Sequence, residues 1–323
     1  RRLRDEGRDE EEGNRTVKGI FPALLTAYKA DGDVDAAATL KLVDRLVDAG
    51  VHGLFVGGTA GEGVMQTVAE RKLLLDAVVG HVAGQIPVIA HVGALDTRST
   101  VALARHAAVV GAAAVSAVTP FYYVLSDDAL AKFYRALAAA VDVPVHGYHI
   151  PALTGRELEW RWFADLAEEG VLAGLKYSAK DLGTMSRLVA HTPEDFRVYN
   201  GADDVLAAGL LYGAAGGIGS TYNIMPELFV AIYDAIRDGR AEVARGLQRV
   251  ALSVIEQLER HDFLAFMREV LRLQGVDTGR SRAPLPDLDA AARDEIRRRF
   301  HSHPAFLAAR EPHAVAVGGG VDD

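Results

Sequence analysis

Short runs of β-branched and aliphatic residues alternate along this chain with longer Ala/Leu-rich stretches whose apolar positions recur at helical spacing. Ile20–Thr26, Val51–Val56, Pro87–Val92, Ala114–Thr119, Val143–His149, Val171–Tyr177, Phe196–Asn200 and Ala214–Gly219 read as strands. Between them Ala37–Ala49, Ala69–Val82, Thr100–Val110, Asp128–Ala140, Leu158–Glu169, Leu182–His191 and Asp203–Tyr212 read as helices, and Pro226–Arg237 follows the last strand. Strands that alternate with helices pair in parallel. The strand runs are continuously apolar, as expected where both faces are buried. Eight strand–helix units predict an α/β fold, a closed (β/α)8 TIM barrel. A doubly wound open sheet is the weaker reading, because Ile20–Thr26 runs into AYKADGDVD without a glycine cluster for a dinucleotide.

Beyond the barrel, taken as residues 17–238, helical patterns continue at Ala241–Leu258, Asp262–Leu273 and Leu288–Phe300. Residues 239–300 are therefore expected to form a helical appendage that packs on the barrel or on a neighbouring subunit. Residues 1–16 mix Arg with acids and hold nothing to bury, which predicts a solvated arm; residues 301–323 read as a tail. The arm has no apolar core of a secretory signal, so the expected compartment is the cytoplasm. No apolar stretch is long enough for a transmembrane helix, and no membrane partner is expected. Half of the residues are hydrophobic and 24% are charged, enough for a sizeable core. The net charge of −9 disfavours a nucleic-acid partner. Cysteine is absent, which removes disulfides and thiolate chemistry.

In such a barrel chemistry sits at the C-terminal ends of the strands. Those ends carry GGTAGEG (Gly57–Gly63), TPFYY (Thr119–Tyr123), GYHIPALTG (Gly147–Gly155), GLKYSAKD (Gly174–Asp181), YNGADD (Tyr199–Asp204) and GGIGSTYN (Gly216–Asn223). Lys176 stands out, since only seven of 35 basic residues are lysine and this one directly follows the apolar run VLAGL. Burial disfavours a charged amine, and a neutral one can add to a ketone to form a Schiff base. The plainer alternative is a lysine that reaches solvent or a carboxylate such as Glu62. Tyr148 ends the neighbouring strand, where a phenol can shuttle protons and Thr59 can orient it. Alternatively, Tyr148 caps the core with its hydroxyl in water.

The glycines of GGTAGEG and GGIGST allow backbone amides to approach a carboxylate or a phosphate, or simply permit tight turns. A phosphosugar isomerase that uses GGIGST is one rival. Another is a keto-acid sensor that binds without turnover. The histidines are scattered over different units with no H-x-x-x-H or H-E-x-x-H, so no metal site is expected; His301 and His303 are placed at the surface.

These six motifs, in this order from about Lys18 to about Pro286, resemble the N-acetylneuraminate lyase and dihydrodipicolinate synthase family of Schiff-base class I aldolases. TPFYY, PALTG and YNG…GGIGSTYN are most similar to the N-acetylneuraminate lyase branch. The resemblance implies that Lys176 captures pyruvate or a 2-keto acid and that Tyr148 is the acid/base. It makes Thr59 and Tyr122 relay partners, with Tyr122 supplied by the adjacent subunit of a homotetramer, a dimer of dimers. The backbone around Thr59 and Ala60 becomes a carboxylate cradle, and Ser178, Gly201, Asp203, Asp204 and Ser220 face the substrate's sugar tail. No cofactor is implied. Four positions depart from the pattern. Ala60 replaces a hydroxyl residue of the cradle, His149 an Asn, and Asp204 a Glu. Leu153 stands where dihydrodipicolinate synthases carry an Arg, which argues against that second substrate. The expected activity is release of pyruvate from a 2-keto-3-deoxy sugar acid; dehydration of such an acid, or condensation of pyruvate with another aldehyde, would use the same imine.

Overall fold

A computed structural model describes residues 17–300 and 303–307 of the 323. Eight parallel strands are β1 (Gly19–Pro22), β2 (Leu54–Val56), β3 (Val88–His91), β4 (Ala114–Val118), β5 (Val145–His149), β6 (Gly174–Tyr177), β7 (Arg197–Asn200) and β8 (Gly216–Gly219). The ladder runs β1-β8-β7-β6-β5-β4-β3-β2. A parallel bridge between Ala23 and Phe55 joins its two ends, so the sheet closes on itself. This is the predicted TIM barrel.

Helices on the outside follow the strands: α1 (Ala36–Asp48), α2 (Val68–Val82), α3 (Thr97–Val110), α4 (Asp127–Ala138), the single turn α5 (Pro151–Thr154), α6 (Trp160–Glu168), α7 (Leu182–His191), α8 (Leu206–Leu211) and α9 (Pro226–Arg237). Their starts are written locally. Asp35, Thr67, Asp96, Ser126 and Asp181 each accept a hydrogen bond from an amide of the first turn. Such caps contribute about 1 kcal/mol apiece. Thr67 and Glu70 complete a reciprocal capping box.

The strands are shorter at their beginnings than the apolar runs. The run from Val51 enters the ladder only at Leu54, and the run from Val171 only at Gly174. Strands in a barrel are tilted and staggered, so their first apolar residues are buried by helices before pairing starts. The predicted helix from Asp203 opens instead as a 3-10 turn, Asp203–Val205.

The appendage comprises α10 (Ala241–Leu258), α11 (Phe263–Leu273), α12 (Ala290–Phe300) and α13 (Pro304–Leu307). It packs on the barrel: α10 lies along α8 and α9, and Leu264 to Leu271 of α11 are buried throughout. Within the region read as a tail, Ala305 and Phe306 are buried, with Phe306 stacked on Phe300. His303 is half-buried and its Nε2 lies 3.1 Å from Ser253 Oγ, which corrects the expectation of a surface histidine. The arm at 1–16, His301 and residues 308–323 lie outside the described residues.

Candidate active site

Tyr148 and Lys176 are direct partners in the β5–β6 register, so their side chains leave the sheet on the same face. Both are buried, Lys176 at 4% and Tyr148 at 2% exposure. Lys176 Nζ lies 4.2 Å from the centre of the Tyr148 ring and 4.7 Å from that of Phe55. Aromatic walls enclose the amine, and among the described residues no carboxylate lies within 4.0 Å of it. The alternative pairing with Glu62 does not form, because Glu62 meets Arg268 at 2.6 Å.

The Tyr148 hydroxyl lies 3.2 Å from Thr59 Oγ1, the predicted partner. Its ring is held edge-on by Phe55 at 6.0 Å and His91 at 5.8 Å. His91 was not foreseen. The Val118 amide donates to its Nε2 at 3.2 Å, which puts the ring proton on Nδ1, where Gly57 O accepts at 3.0 Å. Burial, reinforced by Arg71, holds the His91 pKa well below the usual histidine range, in keeping with a neutral ring. Arg71 is itself buried and donates to the carbonyls of Gly93 and His91. These polar residues hold the β2 and β3 ends together. The sequence signal was a histidine closing an apolar strand run.

The Gly57–Gly63 loop is coiled tightly. The amides of Glu62 and Gly63 donate to the carbonyls of Thr59 and Gly58 at 3.0 and 3.1 Å. A Cβ on Gly63 would lie 1.9 Å from Gly57 O, so this position admits only glycine. Among the described residues the Thr59 and Ala60 amides have no acceptor, and the Ala60 side chain is buried.

Across the mouth, Ser178 and Gly201 are in contact, and a Cβ on Gly201 would sit 2.0 Å from Ser178 Oγ. That hydroxyl is buried and has no partner in the chain. Asp204 is taken by Lys180, whose Nζ lies 2.6 Å from its carboxylate. Asp203 accepts from Thr221 N at 2.8 Å, Thr221 Oγ1 at 2.7 Å and Ser220 Oγ at 3.3 Å. Burial raises its pKa, while these bonds and the charge of Lys176 oppose the rise. An internal carboxylate thus occupies the amide of the GGIGST loop, which speaks against phosphate there. Gly217 and Gly219 have a packing reason: a Cβ would lie 2.3 Å from Tyr222 Oη and from Asp203 Oδ1 respectively.

Three predicted positions stand apart. Tyr122 is 75% exposed beside Tyr123 and makes no hydrogen bond with Tyr148 or Thr59 within the chain. His149 turns from the mouth, stacks on Tyr177 and meets Glu157 at 2.8 Å. Leu153 lies exposed on α5. Among the described residues no three His, Cys, Asp or Glu side chains converge as a metal site, and no helix is long and apolar enough to cross a membrane.

A closed parallel barrel with a buried lysine and a phenol side by side at the strand ends defines the structural class. The chain belongs to the Dihydrodipicolinate synthetase family, which it matches over residues 16–302. It is a lyase of that family. An uncharacterized DapA-like lyase from Halobacterium salinarum is 45% identical over 273 residues, 84% of this chain and 90% of the relative. An N-acetylneuraminate lyase from Rhizobium meliloti is 37% identical over 275 residues, 85% and 91% of the two chains. Among solved structures, the sialic acid aldolase of Ruminococcus gnavus superposes with a TM-score of 0.87 at 28% identity, covering 92% of this chain and 99% of that one.

Proposed function

We propose that this lyase is a class I pyruvate aldolase that cleaves a 2-keto-3-deoxy sugar acid through an imine on Lys176. The observation that carries the reading is a buried lysine amine with no carboxylate partner, set against the ring of a tyrosine whose hydroxyl meets Thr59. The amine adds to the C2 ketone, and water leaves as the imine forms. The protonated imine draws electrons from the adjoining bonds. Tyr148 takes the proton of the C4 hydroxyl, the C3–C4 bond breaks, and its electron pair passes into the enamine of pyruvate. The aldehyde departs; protonation at C3 and hydrolysis return pyruvate and the free lysine. No metal or diffusible cofactor enters these steps.

The free amides of Thr59 and Ala60 suit the substrate carboxylate, which would be held there by the backbone, since Ala60 offers no hydroxyl. Ser178, Gly201, Asp203, Asp204 and Ser220 border the space for the tail. There Ser178 Oγ is the free hydroxyl, whereas Asp203 and Asp204 already hold intrachain partners. Tyr122 would complete the relay as the partner subunit's Tyr122 in a homotetramer; the exposed run Tyr122–Val124 suits a covered face. A cytoplasmic setting fits a soluble keto-acid substrate.

Resemblance to N-acetylneuraminate lyases favours a long polyhydroxylated tail. The test is a panel of 2-keto-3-deoxy acids, N-acetylneuraminate included, assayed for pyruvate. Release of pyruvate with an equimolar aldehyde is expected from at least one. Consumption without pyruvate would mark a dehydratase, and binding without turnover on any of them would mark a sensor.

A further inference from the structure

Glu62 is the one described residue of the Gly57–Gly63 loop, glycines aside, with a left-handed backbone, at φ 55°. A side chain rarely adopts that conformation without something to hold it. Here the anchor is outside the barrel. Glu62 Oε1 accepts from Arg268 Nη2 at 2.6 Å, and Oε2 accepts from the Arg282 amide at 2.9 Å. The Glu62 and Arg268 side chains are 1% and 4% exposed. Arg268, on α11, also donates to Thr26 O at 2.9 Å, Thr278 O at 2.7 Å and Ser281 Oγ at 3.0 Å. One guanidinium therefore ties the end of the first strand's run, the 278–281 segment and the glycine loop together. The loop then holds Thr59 Oγ1 at 3.2 Å from the Tyr148 hydroxyl, with the neighbouring Thr59 and Ala60 amides left without an acceptor among the described residues.

A barrel needs none of this to close, and a buried ion pair is a weak source of stability, because two charges lose their water. Its use lies in geometry. An unpaired carboxylate two residues from Ala60 would also repel an arriving substrate carboxylate; Arg268 neutralises it and turns it away from the mouth. We infer that Glu62 and Arg268 are positioning residues that set the carboxylate-binding amides and the Thr59–Tyr148 contact from the C-terminal helices. This rests on the imine reading above in taking those amides as the anion site.

The experiment measures the pyruvate concentration that half-saturates borohydride trapping, together with maximal trapping, in the full-length protein. Glu62→Gly/Arg268→Met removes both charges and the need for a left-handed side chain. Half-saturation is expected to rise about tenfold or more, as for a misplaced binding group, while saturating pyruvate still traps Lys176 fully. A folded double variant with wild-type half-saturation overturns the inference, and so does one whose maximal trapping falls at unchanged half-saturation. If the double variant does not fold, Arg268→Lys replaces it, keeping the charge but not the simultaneous reach to four acceptors. A rise of at least about threefold is expected there, and no change overturns the proposal. If wild-type protein traps no pyruvate, the imine reading fails. The positioning claim is then read by amide exchange at Glu62, Gly63 and Met65, which are hydrogen-bonded within the loop. Faster exchange there in Arg268→Lys supports it, and unchanged protection overturns it.

Discussion

Tyr148 meets Thr59 across 89 residues of sequence, at 3.2 Å, and this one contact ties the proposed proton-transfer group to the loop that would hold the substrate's carboxylate. Tyr148→Phe keeps the ring between Phe55 and His91 but removes the transferable proton. Turnover is expected to fall by about 10²–10⁴, the usual worth of a positioned acid/base, with the thermal midpoint nearly unchanged; steady-state pyruvate release and a melting curve check both. Thr59→Val removes only the orienting hydroxyl and is expected to cost about tenfold in kcat, near the worth of one hydrogen bond to a reacting group. Neither Lys176 nor Tyr148 was telling alone, since a strand-end lysine can reach solvent and a tyrosine can cap the core; what the sequence offered was their place at the ends of neighbouring strands, and the β5–β6 register sets them side by side. Asp203 was legible as a strand-end acid but not in its role: its carboxylate is spent on Thr221 and Ser220, two segments that no local pattern links to it. Glu62–Arg268 was not legible at all, since its partners are 206 residues apart and belong to no shared periodicity.

At the scale of elements, alternation of apolar runs with amphipathic stretches marked every strand and the helices between them, because burial on both faces leaves a continuous signature. Strand starts were not marked, since apolar residues under helices look the same as apolar residues in the ladder. The turn α5 was hidden within PALTG, where Pro151 at the first helical position was the available signal. The Gly57–Gly63 loop was recognised by its glycines, but which of them is indispensable is a matter of close approach. Gly63→Ala would set a methyl group 1.9 Å from Gly57 O, a backbone atom that cannot rotate away. A destabilisation of about 1–3 kcal/mol is expected from such overpacking, together with loss of pyruvate release, because Thr59 moves with the loop. Denaturant titration and the pyruvate assay read the two effects. Gly80→Ala, inside α2 with nothing within 4 Å, is the control: it should leave pyruvate release unchanged and raise stability by about 0.5–1 kcal/mol through helix propensity, the opposite sign to Gly63→Ala.

At the scale of the whole molecule, barrel closure buries histidines that cannot easily become charged. Burial lowers the pKa of His146 from 6.5 to about 4, with Arg197 adding to the effect, and His91 and His149 are shifted in the same direction. Between pH 6.5 and 4 the unfolded chain takes up protons that the folded one refuses, so stability falls as the pH is lowered through this window. His146 accounts for at most about 3.5 kcal/mol of that loss, at roughly 1.4 kcal/mol per pKa unit. Urea unfolding at pH 7 and at pH 4.5 should show the decline, and His146→Phe should flatten it. Glu70 acts in a separate window. Arg282 holds its carboxyl at about 2 instead of 4.5, so the stability it confers is complete above pH 4.5 and fades only as the pH falls towards 2. The same enclosure places Lys176 among aromatic rings, and the central claim is that this amine bonds covalently to a keto acid. The direct measurement is intact-mass analysis after incubation with pyruvate and borohydride, followed by peptide mapping. The account predicts one reduced pyruvate adduct per chain, on Lys176, absent from Lys176→Ala. An adduct that persists in Lys176→Ala, or a wild-type protein that gains none, would contradict it.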